Sequence, residues 1–233
     1  MIKLVTLDLD NTLWDAEPTI HQAHRDMVAW LVAQRPESTE LLTPKVWAGL
    51  RRTLQAQQPE ILYHPTAVRK AMLQLALAPL QLPIPQQQDL VEGAFEVFYD
   101  GRNQVKPYPE AITLLEHLAT RVPVVAITNG NANLERIGID QYFKAIVNAE
   151  RAGVAKPHPG IFHLALSLGG NVSAQDALHV GDHALEDVEA SKALGFQTVW
   201  LKSGALDTTQ HCEPTATAES ISELVAIIQA IVP

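Results

Sequence analysis

The chain has a single cysteine, Cys212, among 233 residues. That excludes an intrachain disulfide and fits a reducing compartment. Positive charge is scarce: 17 Lys and Arg stand against 26 Asp and Glu, for a formal net charge of -9 at pH 7. No global basic field is available to attract nucleic acid or an anionic membrane, so neither is expected as a partner. Any small anion that binds must be drawn in by local charges. No apolar run reaches the length of a bilayer span, and the first residues read as a core strand rather than a signal peptide. A cytoplasmic protein is the expectation. What the chain does have is 47% apolar and 18% charged residues. That suffices to bury a sizeable core, as one large domain or a domain with an insertion.

Five short apolar, β-branched runs read as strands: Ile2 to Leu9, Val122 to Thr128, Ala145 to Asn148, Ala177 to Gly181 and Gln197 to Leu201. After the second run, strands alternate with segments of helical period. One helical face is Leu114, Leu115 and Leu118. Another runs from Ile161 to Leu168 and stops at Gly169-Gly170. A third holds Leu185, Val188, Ala193 and Leu194, and the last holds Ile221, Leu224, Val225, Ile227 and Ile228. This alternation predicts an α/β fold, a Rossmann-like parallel sheet of about five strands with right-handed crossovers.

The stretch between the first two strands reads as helix throughout. Segments near Thr19 to Gln34, Pro44 to Ala56, Pro65 to Leu77 and Gln86 to Tyr99 carry apolar residues at three- and four-residue spacing, punctuated by prolines. The expected organisation is a core of residues 1–15 and 106–233 and an inserted helical domain of residues 16–105.

The chemistry collects at the carboxyl ends of the strands, where open parallel sheets bind ligands. The first strand ends in Asp8-Leu9-Asp10-Asn11-Thr12, the second in Thr128-Asn129-Gly130, the fourth in Gly181-Asp182 with Asp187 beyond it. Lys156 lies in the loop after the third strand. Two carboxylates one residue apart repel, and a hard divalent cation is the natural counterweight. Carboxylates suit such a cation, while lysine, hydroxyl and amide groups suit phosphate oxygens.

In order and spacing these four segments resemble the motifs of the haloacid dehalogenase (HAD) superfamily over essentially the whole chain, and the helical insertion is similar to that superfamily's first type of cap. More narrowly, Asp8 to Asp15, Ala126 to Ala132 and His179 to Asp182 resemble a bacterial branch that dephosphorylates flavin precursors and FMN. The resemblance implies a Mg²⁺-dependent phosphomonoesterase acting on a small phosphorylated metabolite. Asp8 would be the nucleophile and Asp10 the acid/base. Asp8, the Asp10 carbonyl and Asp182 would hold the metal. Thr128, the Asn129 amide and Lys156 would hold the phosphoryl group. Thr12 and Asp187 would support them from behind, Asp187 through water or by orienting Lys156.

A phosphomutase or phosphotransferase would share the same motifs. A dehalogenase would need neither a metal nor Asp10, and a pure binding module would need no acid/base. Among the histidines, His179 reads as structural, His183 as a loop residue, and His21 and His24 as solvated or substrate-facing. Trp14, Trp30 and Trp47 read as packing within the insertion or between the insertion and the core. Arg25, Arg51, Arg52, Tyr63, His64, Arg69 and Lys70 are the insertion's candidates for substrate selection. Oligomeric state leaves no trace in the sequence.

Overall fold

The computed structural model describes residues 1–202 and 213–233, so Cys212 lies outside the described residues. The chain divides into two compact units, Met1–Asp15 with Val105–Pro233, and Ala16–Gln104.

The first unit is built on a parallel sheet: β1 (Leu4–Leu7), β2 (Val124–Thr128), β3 (Ala145–Asn148), β4 (Ala177–Gly181), β5 (Gln197–Leu201) and β6 (Ala216–Ala218), in the order β3-β2-β1-β4-β5-β6. Among the described residues there are six strands, one more than the five runs read in the sequence. β6 escapes the sequence because Ala216-Thr217-Ala218 has no large apolar residue. Being three residues long at the edge, it buries little, and pairing with β5 defines it.

β1 lies between β2 and β4, with Leu7 opposite Ala126 on one side and Val180 on the other. The order reverses between β1 and β4, which makes their carboxyl ends the switch point of the sheet, where ligands bind in such folds. Because strand side chains alternate between faces, Leu4 joins Val125, Ile127 and Val147 in a core closed by Ile161, Phe162 and Ala165. Those last three belong to a helix that approaches closely: a Cβ on its Gly169 would fall 2.6 Å from Leu4 Cδ2.

In the second unit the helices are α1 (Glu17–Gln34), α2 (Pro44–Gln57), α3 (Pro65–Leu77) and α4 (Ile84–Arg102). Each has a proline in its first turn, where the missing N–H costs nothing. Met27 and Leu31 of α1, Leu73 and Leu77 of α3, and Val91, Ala94, Phe95 and Phe98 of α4 form its core. Trp30 and Trp47 pack against that core, as the sequence suggested. Small residues bring α1 and α4 close, since a Cβ on Gly101 would meet that of Ala23 at 2.9 Å.

The first unit's helices are α5 (Pro109–Ala119), α6 (Leu134–Ile137), α7 (Ala149–Ala152), α8 (Pro159–Gly170), α9 (Ala190–Ala193) and α10 (Ile221–Ile231). α5 and α10 pack against each other, while α8 covers β1, β2 and β3. One expected helical face is corrected. Residues Ala184–Glu189 form a π-helical turn, in which the His183 carbonyl accepts from both Asp187 N and Val188 N. The wider turn breaks the 3.6-residue period, so Leu185 turns outward at 48% exposure and Asp187 turns inward. Among the described residues no helix is long and apolar enough to cross a membrane.

Candidate active site

The eight residues expected to serve catalysis, the metal, the phosphoryl group or their support all belong to the first unit, and the candidates for substrate selection belong to the second. Asp8 follows β1 directly, and its N–H donates to Val180 O at 2.9 Å, extending the ladder with β4. This places Asp8 beside Gly181. The chain then reverses. Asn11 adopts a left-handed conformation (φ 66°), and Thr12 N and Leu13 N both donate to Leu9 O. Asparagine tolerates that conformation better than most residues. The turn carries Thr12 back over Asp8, and its hydroxyl donates to Asp8 Oδ2 at 2.9 Å and reaches Asp182 Oδ1 at 3.4 Å.

Lys156 is buried between two carboxylates. Its Nζ lies 2.6 Å from Asp8 Oδ1 and 2.5 Å from Asp187 Oδ1. Burial alone would discharge such a lysine, but the two carboxylates outweigh it and hold the pKa above the ordinary lysine value. Asp187 responds in the opposite direction. Burial favours its neutral form, yet Lys156 and His179 hold its pKa well below the ordinary carboxylate range. For Asp8 burial wins: its pKa is raised, with Asp187 and Asp182 adding repulsion that Lys156 only partly offsets. Asp182 is likewise raised, to about 6, by burial and by Asp187.

One oxygen from each of Asp8, Asp182 and Asp187 lies within 4.8 Å of the others. Three carboxylates thus share one lysine. The Asp187 oxygens are already committed, Oδ1 to Lys156 and to His179 Nε2 at 3.0 Å, Oδ2 to the His183 N–H at 3.0 Å. Asp8 is engaged at Oδ1 by Lys156 and at Oδ2 by Thr12, while Asp182 is reached by Thr12 at 3.4 Å. Asp10 stands apart from this group; its Oδ1 accepts from Trp14 Nε1 at 2.8 Å.

Thr128 ends β2, buried, and its Oγ1 accepts from Gly130 N at 2.9 Å. The Asn129 side chain docks the Lys156 loop: Oδ1 accepts from Lys156 N at 2.7 Å, and Nδ2 donates to Lys156 O at 3.0 Å and Glu186 Oε2 at 2.9 Å. Nothing in the sequence signalled these side-chain bonds, which join residues 27 and 57 positions apart.

A match to a family model of haloacid dehalogenase-like hydrolases spans residues 2–195, with the Asp8, Thr128, Lys156 and Asp182 segments inside it. The chain belongs to that family. Among curated relatives, this haloacid dehalogenase-like hydrolase is 29% identical to the 5-amino-6-(5-phospho-D-ribitylamino)uracil phosphatase YigB of Escherichia coli K12, over 86% of this chain and 84% of that one. It is 35% identical to the pyrimidine 5'-nucleotidase YjjG of the same organism, over 55% of this chain and 60% of that one. Among solved structures it is similar to a 2-haloacid dehalogenase from Pseudomonas syringae pv. Tomato DC3000, at 34% identity and a TM-score of 0.92 with both chains fully covered.

Four residues of this hydrolase's site went unassigned in the sequence. Trp14, expected only to pack, also bonds Asp10 within the first unit; the four-residue spacing was the available signal. His179 is buried as expected of a structural histidine, but it also links Thr6 Oγ1 (2.8 Å) to Asp187. Trp200 Nε1 donates to Asp182 O at 2.8 Å. Gly181 makes room: a Cβ there would sit 2.2 Å from Asp187 Cγ.

Proposed function

We propose that this hydrolase is a Mg²⁺-dependent phosphomonoesterase working through an aspartyl-phosphate on Asp8. The observation that carries the reading is the group of Asp8, Asp182 and Asp187 oxygens within 4.8 Å of one another, with Lys156 bonded to two of them. A hard, oxygen-only donor set with excess negative charge fits Mg²⁺. Asp8, the Asp10 carbonyl and Asp182 would hold the ion. When bound, it supplies charge that offsets the repulsion between the nucleophile and an anionic phosphate.

The protein's own groups perform the rest. Lys156 at Oδ1 and Thr12 at Oδ2 fix the plane of the Asp8 carboxylate, which attacks phosphorus in line with the leaving oxygen. Asp10 protonates that oxygen, then takes a proton from the water that cleaves the aspartyl-phosphate. The Thr128 hydroxyl, the Asn129 N–H and Lys156 bind the phosphoryl oxygens. Asp187, engaged on both oxygens, holds Lys156 in place. The helical unit of residues 16–104 acts as the cap, moving about joints near Ala16 and Val105 to admit substrate and exclude water. The substrate is a small phosphorylated metabolite. Identity to YigB over most of both chains supports the finer assignment to 5-amino-6-(5-phospho-D-ribitylamino)uracil or FMN.

A second reading, a 2-haloacid dehalogenase, draws support from the Pseudomonas syringae structure. It leaves Asp10 and the extra carboxylate Asp182 without a task. The deciding experiment measures phosphate release from a panel of phosphomonoesters with Mg²⁺, and chloride release from 2-chloropropionate, on one preparation. Phosphate release that stops with EDTA and returns with Mg²⁺ is expected; chloride release alone would overturn the reading. Activity on other phosphoesters but not on flavin-pathway compounds would remove only the finer assignment.

A further inference from the structure

His179 is a buried ionisable group with no part in the chemistry proposed above. It stands opposite Thr6 in the register of β4 with β1. Strand side chains alternate between faces, so the pair lies one step behind Asp8 on the face that Asp8 shares. The rings of Phe162 and Phe196 lie 5.2 and 6.4 Å from the imidazole, each nearly perpendicular to it. Between these apolar walls the two ring nitrogens take up the polar contacts. Nδ1 lies 2.8 Å from Thr6 Oγ1, and Nε2 lies 3.0 Å from Asp187 Oδ1.

These contacts fix the tautomer. Lys156 keeps Asp187 ionised, so Asp187 Oδ1 can only accept and His179 Nε2 must carry hydrogen. Burial lowers the His179 pKa, so the ring is neutral and Nδ1 accepts. The Thr6 hydroxyl is then its donor, in preference to the longer contact with Leu178 O at 3.3 Å. A neutral ring bonds Asp187 without cancelling its charge, which stays whole for Lys156.

Asp187 has need of such a bond. It stands on a π-helical turn rather than a strand, and oxygens of Asp8 and Asp182 lie within 4.8 Å of one of its own. Like charge pushes it away from both. His179 and Thr6 belong to β4 and β1, the central strands of the sheet. The series Thr6, His179, Asp187, Lys156 therefore ties the lysine to that rigid centre.

We infer that His179, backed by Thr6, is a positioning residue: it braces Asp187 so that Lys156 stays aimed at Asp8 and at the phosphoryl oxygens. The role toward the phosphoryl group rests on the phosphatase reading above, whereas the brace rests on the buried contacts alone.

The experiment compares His179→Gln and His179→Leu in the full chain. Glutamine can place its Nε2 where the imidazole Nε2 stands and keep the donor to Asp187. Leucine suits the apolar walls better but has no donor. In the wild type, an isotope-labelled histidine spectrum, with the His179 signals identified by their loss in His179→Gln, should show a neutral ring protonated at Nε2. A ring protonated at Nδ1, or at both nitrogens, overturns the brace. Acetic anhydride should modify Lys156, measured by mass spectrometry against exposed Lys45, about tenfold faster in His179→Leu than in the wild type and at the wild-type rate in His179→Gln. Phosphate release should follow the same order, with kcat/KM about tenfold lower in His179→Leu and within about threefold of wild type in His179→Gln. Equal effects of the two substitutions, or a larger one in His179→Gln, reduce His179 to packing and overturn the inference. If neither variant folds, Thr6→Val is the milder test: it should speed Lys156 modification about threefold, with Thr6→Ser at the wild-type rate, and no difference between the two overturns the inference. If the wild type releases phosphate from no ester, the phosphatase reading fails, while the spectrum and the lysine modification still decide the brace.

Discussion

The indole Nε1 of Trp14 donates to Oδ1 of Asp10 at 2.8 Å, and Trp14 is completely buried. The two residues also form an isolated backbone bridge across the turn that follows β1. The turn therefore closes on itself, and the Asp10 carboxyl points where an immobile donor holds it. Positioning of this kind is what an acid/base group needs.

Trp14→Phe keeps most of the buried volume and removes that donor. It should lower kcat about tenfold, the equivalent of roughly 1.4 kcal/mol, with little change in KM. A wild-type kcat in this variant would reduce Trp14 to packing.

Asp8→Asn should abolish turnover by about a thousandfold or more, since an amide cannot attack phosphorus as a carboxylate does. The amide also removes a buried charge that lies near Asp187 and Asp182, so the fold should survive. Circular dichroism and the melting temperature check the fold, and phosphate release checks the chemistry. Wild-type turnover in this variant excludes the covalent mechanism.

Gly181→Ala tests how tightly β4 is fitted to the turn beyond it. The added Cβ would lie 2.2 Å from Asp187 Cγ and 2.3 Å from its Oδ2. Asp187 must then withdraw from Lys156, from His179 and from the His183 N–H at once. The expected cost is about 3 kcal/mol or more in urea unfolding, at the upper end for overpacking a rigid site. A loss below about 0.5 kcal/mol would show that the turn yields freely.

Stability should vary with pH through Asp182. Its folded pKa is raised from 3.8 to about 6, by burial first and by Asp187 second. The stability it contributes is fully present below the unfolded value and is lost as pH rises through about 6. The metal-free protein is therefore penalised at pH 7.5 by up to about 3 kcal/mol. In EDTA, Asp182→Asn should melt higher than the wild type at pH 7.5, with a smaller gain at pH 5. Added Mg²⁺ should stabilise the wild type at pH 7.5 and do little for the variant. Equal melting of the two proteins at both pH values would count against this account.

Much of the fold was legible along the chain because its signals are local. Apolar runs marked β1 to β5, and three- and four-residue spacing marked α1 to α4. β6 was not legible, because Ala216-Thr217-Ala218 carries no apolar pattern and owes its place to β5. The π turn of residues Ala184–Glu189 was not legible either, since a period-3.6 reading has no means of inserting an extra residue, and it put Leu185 on the wrong side.

The sequence by itself determined which chemical groups reach the carboxyl ends of the strands: Asp8 and Asp10, Thr128, Lys156, Asp182. Burying each apolar run fixes where its polar end emerges. Tertiary structure alone decided how those groups share charge. It set Lys156 between Asp8 and Asp187, left Asp182 raised, and turned the Asn129 side chain to hold the lysine loop. It also stacked Arg69 on Phe98. Partners 27 to 148 residues apart meet only when the sheet forms, and Coulomb energy depends on that distance and on burial, neither of which sequence order contains.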